Sequence, residues 1–69
     1  MMDILVNGKP RALADAMTVR QFLETLHLPT LERGVAVCLN GELVRKAEWG
    51  KTALKGQDEL EIVQATQGG

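Results

Sequence analysis

Thr18-Val19-Arg20-Gln21-Phe22-Leu23-Glu24-Thr25-Leu26 decides the fold, because it carries the chain's clearest helical period. A threonine three residues before a glutamine is a capping box: each side chain reaches a backbone N–H at the other's position. Val19, Phe22, Leu23 and Leu26 then recur at i, i+3, i+4 and i+7, one face of an amphipathic helix. Leu28-Pro29 is expected to end it, since the residue before a proline avoids the helical region.

Strand patterns lie on both sides of this helix. Upstream, Met2-Asp3-Ile4-Leu5-Val6 alternates, with Met2, Ile4 and Val6 on one face. Asn7-Gly8 follows, a strong hairpin signal, and Lys9 to Leu13 is the returning strand. Pro10 lacks an N–H, which suits an edge strand or a bulge. Downstream, Val35-Ala36-Val37-Cys38-Leu39 is a third strand, Asn40-Gly41 a second hairpin turn, and Glu42-Leu43-Val44 its return. Arg45 to Trp49 reads as a short helical turn, Thr52-Ala53-Leu54 as a brief strand or link, and Lys55-Gly56-Gln57-Asp58 as a turn. The last strand runs from Glu59 to Gln64, with Leu60 and Ile62 on one face.

One helix over one face of a mixed sheet of four to five strands is an α+β arrangement of the β-grasp (ubiquitin-like) kind. The expected domain is 1–64, followed by a flexible tail, 65–69, that ends Gly68-Gly69. Its expected core is Ile4, Val6, Leu13, Val19, Phe22, Leu23, Leu26, Val37, Leu39, Leu54, Leu60 and Ile62. Phe22 and Trp49 are the only aromatic residues, so that core should be aliphatic. Alternation turns Leu5, Ala36, Cys38 and Val63 to the other side of the sheet. If the first, third and last strands are neighbours, these four form a small apolar patch. Such a patch can be a docking site, or it can be the scattered apolar surface that every soluble protein has.

Composition narrows the function. Sixty-nine residues make one small domain with little room for an enclosed active site. Hydrophobic residues at 45% and charged residues at 25% are those of a globular protein, not a disordered one. Eight scattered Lys and Arg residues against nine acids leave no basic stripe for nucleic acid. No apolar run is long enough to span a membrane, and no signal peptide is expected, so the cytoplasm is the default. A single cysteine excludes an internal disulfide.

Catalytic and metal-binding chemistry is nearly absent. His27 falls at the helix C-terminus, which a cation favours. Cys38 sits in mid-strand without a neighbouring histidine, unlike an activated thiol. One histidine and one cysteine do not make a tetrahedral metal site. There is no glycine-rich phosphate loop, and Glu59 and Glu61 alternate with apolar residues like a solvated strand face. The tail stands out instead. Glycine has no Cβ, so Gly68-Gly69 can thread a slot too narrow for other residues. Extended from Gln64, it reaches roughly 20 Å. A carboxylate at Gly69 is a poor electrophile until adenylated; the mixed anhydride can then be attacked by sulfur to give a thiocarboxylate. The plainer reading is a frayed terminus that ends in glycine.

These segments resemble the ThiS family, the ubiquitin-like sulfur carriers of thiamine biosynthesis. The resemblance rests on Met2 to Gly8, Thr18-Val19, Val35 to Val44, Lys46-Ala47-Glu48-Trp49 and Glu61 to Gly69. It implies that an E1-like adenylyltransferase, using its own ATP, activates the carboxylate of Gly69. A cysteine-derived persulfide then supplies sulfur, and thiazole synthase accepts it. Gly68 would give the tail access to these partners, and the carrier itself would bind no cofactor and be a monomer when free. Two departures bear on geometry: Arg45 stands where the family commonly has proline, and Gln57 separates Gly56 from Asp58 where the family prefers Gly-Asp. Alternatives are a carrier like the small subunit of molybdopterin synthase, a ubiquitin-like modifier of lysines, and a plain binding module.

Overall fold

The computed structural model describes residues 2–28 and 34–64. Among the described residues five strands form one sheet: β1 (Met2–Val6), β2 (Lys9–Leu13), β3 (Val35–Leu39), β4 (Glu42–Val44) and β5 (Glu59–Gln64). A helix, α1 (Val19–Thr25), and a 3₁₀ helix (Lys46–Lys51) complete the order. The strand order is β2-β1-β5-β3-β4. The last strand is thus the central one, parallel to β1 and antiparallel to β3. This is the expected β-grasp architecture, and β1, β5 and β3 are neighbours. The tail, 65–69, lies outside the described residues.

Both hairpins follow from their Asn-Gly pairs. Val6 pairs with Lys9 and Leu39 with Glu42, so each loop has two residues. A two-residue turn that matches strand twist needs positive φ at both positions. Asn7 and Gly8 have φ of 52° and 83°, and Asn40 and Gly41 have 52° and 88°. β2 is an edge strand, where the missing N–H of Pro10 is tolerated.

The capping box forms: the Gln21 N–H donates to Thr18 Oγ1 at 3.2 Å, and the Thr18 N–H to Gln21 Oε1 at 2.9 Å. The helix ends at Thr25, before Leu28-Pro29. His27 is the cause: it adopts φ 54°, and its N–H turns back to the Glu24 carbonyl at 3.3 Å. A left-handed residue just past the C-cap is a common helix stop. Pro29 is outside the described residues.

The core holds Ile4, Leu13, Val19, Phe22, Leu23, Val37, Trp49, Leu54 and Leu60, with Val6, Leu26, Leu39 and Ile62 partly buried against it. The aliphatic expectation needs correction. Trp49 and Phe22 are the two largest fully buried side chains, so the core is built around both aromatics. Trp49 comes from the 3₁₀ helix, too short a segment to show a period. Its Nε1–H donates to the Val44 carbonyl at 3.0 Å, and the Arg20 guanidinium lies 5.9 Å from its ring centroid.

The two departures are absorbed locally. Arg45 has φ −68° and ψ 150°, the dihedrals a proline would hold. Its N–H has no partner among the described residues, and Val44 before it is extended, as a following proline requires. Arg45→Pro is therefore expected to stabilise the fold by about 0.4–1 kcal/mol through the unfolded chain, measured as a rise in urea midpoint at constant m. In the last turn the left-handed residue is Gln57, with φ 70°, and not Gly56. Asp58 still anchors the entry to β5: its buried carboxylate accepts from the Lys55 N–H at 2.7 Å and from Asn40 Nδ2 at 3.0 Å.

Candidate functional site

β5 is the strand that leads to the tail, and it is held along its length. Its neighbours are β1 on one side and β3 on the other. At its start, the Asn40 N–H donates to the Glu59 carbonyl at 2.7 Å, and the Glu59 N–H to Asn40 Oδ1 at 2.9 Å. Towards its end, the Ile62 N–H donates to Asn7 Oδ1 at 2.8 Å, and Asn7 Nδ2 donates to the Ile62 carbonyl at 3.1 Å. Both asparagines of the hairpin turns therefore also bind the central strand through their side chains. The Asn-Gly signal reveals the turn but not this second role, because side chain and strand meet across 55 and 19 residues of sequence.

The sheet face opposite α1 carries the four patch residues. Ala36 pairs with Val63, and Cys38 with Glu61. Leu5 pairs with Glu59, four positions before Val63 along β5. At about 3.3 Å per residue, that separation is about 13 Å. The face thus has two apolar parts with Glu59 and Glu61 between them. Around Leu5 lies its cross-strand neighbour Pro10, on β2. Around Ala36, Cys38 and Val63 lies Leu43, paired with Cys38. Among the described residues Leu43 at 66% and Val63 at 63% are the large apolar side chains most open to solvent, and Val63 also lines a shallow depression with Gly34, Val35 and Ala36. Leu43 was legible by the same alternation as Cys38 but is absent from the four-residue expectation.

The open face carries only acidic strand residues, whereas the helix side carries Lys9, Arg11 and Glu42. The charged strand positions on this face are Asp3, Glu59 and Glu61, all exposed and all acidic. The two basic strand residues, Lys9 and Arg11, alternate to the helix side with Leu13, and the Arg11 guanidinium lies 5.5 Å from the Phe22 ring centroid. A formal net charge of −1 conceals this asymmetry.

Cys38 is half-buried on the open face, and His27 follows α1 on the other, so the sheet separates them. Among the described residues no three His, Cys, Asp or Glu side chains gather to hold a metal ion, and no helix is long and apolar enough to cross a membrane. Gly68 and Gly69 are outside the described residues.

Comparison with known proteins bears on this arrangement. A thiamine biosynthesis protein (ThiS) from Geobacter metallireducens has a crystal structure that superposes with TM-score 0.84 at 33% identity, covering 99% of this chain and 100% of that one. A solution structure of a thiamine biosynthesis protein from the same organism gives TM-score 0.82 at 33% identity, over 99% of this chain and 88% of that one. A protein named thiazole synthase from Paramagnetospirillum magneticum is 37% identical over 68 residues. That match takes in 99% of this chain but only 20% of the relative, so this chain spans about a fifth of its length. The ThiS family profile matches residues 4–69, and with the shared fold this shows that the chain belongs to the ThiS family of thiamine-biosynthesis sulfur carriers.

Proposed function

We propose that this carrier takes sulfur to thiazole formation as a thiocarboxylate on Gly69. The observation that carries the reading is the family match, which runs through to Gly69 behind a rigidly held central strand. The chemistry is assigned as follows. An E1-like adenylyltransferase binds ATP and presents its α-phosphorus to the Gly69 carboxylate; pyrophosphate leaves and an acyl-adenylate forms. The terminal sulfur of a cysteine-derived persulfide attacks the carbonyl and expels AMP. A thiol then reduces the resulting acyl disulfide, which releases the thiocarboxylate. The enzyme supplies the electrostatic stabilisation; the carrier supplies an arm and a docking face, and needs no cofactor of its own. Thiazole synthase accepts the sulfur, a partnership supported by the named relative that contains a matching segment within a fivefold longer chain. That relative favours the thiamine pathway over a molybdopterin-type acceptor. The carrier works as a monomer in the cytoplasm.

Intact-mass analysis tests the reading. After incubation with the E1-like enzyme, ATP and a persulfide donor, the chain is expected to gain the mass difference between sulfur and oxygen, located on Gly69. An unchanged mass with an enzyme verified as active rejects it, and a lysine adduct in place of the shift would favour a modifier.

The docking face is proposed to include Leu5, Ala36, Cys38 and Val63. Its partner should present basic side chains between two apolar contacts, to complement Glu59 and Glu61. Val63→Asp is expected to weaken binding to the adenylyltransferase about tenfold, by putting a charge into the apolar contact, with Tm unchanged because the residue is exposed. Titration calorimetry measures it, and wild-type affinity would remove Val63 from the interface.

A further inference from the structure

The two flanks of β5 are not equally supported. β3 runs beside it to the end, where Val35 pairs with Gln64. β1 stops earlier: its last paired residue is Val6, opposite Leu60. Beyond that point the hairpin turns the β1 backbone away, and the Asn7 N–H makes the last main-chain bond, to the Leu60 carbonyl at 2.9 Å. The Asn7 side chain then takes the place of a strand. Its amide pairs with both the N–H and the carbonyl of Ile62, two residues before β5 ends.

We infer that Asn7 is a positioning residue for sulfur transfer: its side-chain amide fixes the end of β5, and so the point and direction from which the chain beyond Gln64 reaches a partner. The inference rests on the carrier reading above. Its physical basis is the sensitivity of group transfer to placement, where about 1 Å of error can reduce the rate about a hundredfold. A strand end held on one edge only opens more readily than one held on both. If Asn7 is absent, the partner must order that segment as well as the tail. Ordering about one further backbone residue corresponds to about a tenfold loss in rate.

Asn7→Gly isolates the side chain, because glycine accepts the left-handed turn conformation that Asn7 holds at φ 52°. Asn40→Gly is the matched control, since it removes the clamp at the other end of β5, far from the tail. In steady-state thiocarboxylate formation with the adenylyltransferase, Asn7→Gly is expected to lower kcat about tenfold with KM unchanged, because the open face is intact. Asn40→Gly is expected to lower thermal stability but leave kcat unchanged where the protein is folded. In the free protein, hydrogen exchange at the Ile62 amide is expected to accelerate in Asn7→Gly. Asn7→Asp keeps the acceptor for the Ile62 N–H and loses the donor, so it should fall between wild type and Asn7→Gly; it also serves if the glycine variant does not fold. Wild-type kcat in a folded Asn7 variant, or an equal loss in Asn40→Gly, overturns the assignment. Absence of transfer by the wild type overturns the carrier reading instead, while the exchange measurement still decides whether the clamp exists.

Discussion

Trp49→Ala is expected to destabilise the domain by about 3–5 kcal/mol, the range for truncating a large buried aromatic. Trp49 is 1% exposed and is the largest of the fully buried side chains among the described residues. It belongs to the same buried cluster as Val19, Phe22 and Leu23 of α1, and its indole N–H bonds the Val44 carbonyl. Truncation therefore opens a cavity and deletes a hydrogen bond together. A chain of 69 residues has modest total stability, with typical domains at about 5–15 kcal/mol and small ones at the lower end. The variant should be largely unfolded at temperatures where the wild type is intact. Trp49 is the only tryptophan, so circular dichroism in urea, not fluorescence, must follow the variant. Trp49→Phe separates the two effects: it keeps much of the volume and loses the N–H, and about 1–2 kcal/mol is expected. A loss below about 2 kcal/mol for Trp49→Ala would mean that the 3₁₀ segment repacks and that Trp49 is not central to the core.

Trp49 also marks where sequence reading reached its limit. The elements with a local rule were legible: two Asn-Gly turns, a capping box over Thr18 and Gln21, and alternation in β1, β3 and β5. Each rule acts over four residues or fewer, so the sequence displays it directly. Trp49 sits in a six-residue 3₁₀ helix, where no period exists to announce burial. The helix end moved for a similar reason. Proline offered a visible stop, but His27 entered the left-handed region first, a choice that no pattern announces. The clamps of Asn7 and Asn40 on β5 depend on strand order, which alternation does not encode. The same holds for the patch. Alternation assigned Leu5, Ala36, Cys38 and Val63 to one face, but the register that interposes Glu59 and Glu61 is a tertiary fact.

Deleting Gly69 is expected to reduce thiocarboxylate formation at least about a hundredfold while leaving the fold unchanged. The truncated chain still ends in a glycine carboxylate, so its intrinsic reactivity is the same. What changes is reach. One residue of extended chain is about 3.3–3.6 Å, several times the misplacement that typically lowers a group-transfer rate about a hundredfold. Docking on the sheet face should persist, so binding to the adenylyltransferase is expected to weaken far less than turnover. Gly68→Val tests a different property at constant length: its carboxylate reaches as far, but a branched side chain must pass wherever glycine passes. If the tail threads a narrow slot, Gly68→Val should fail as completely as the deletion; if only length matters, it should turn over normally. Intact mass and calorimetry on the same samples resolve the cases. Loss of turnover with retained binding assigns address to the domain and chemistry to the tail. Full thiocarboxylate formation without Gly69 would mean that the carboxylate of Gly68 reaches the adenylate site equally well, and would overturn the requirement for reach.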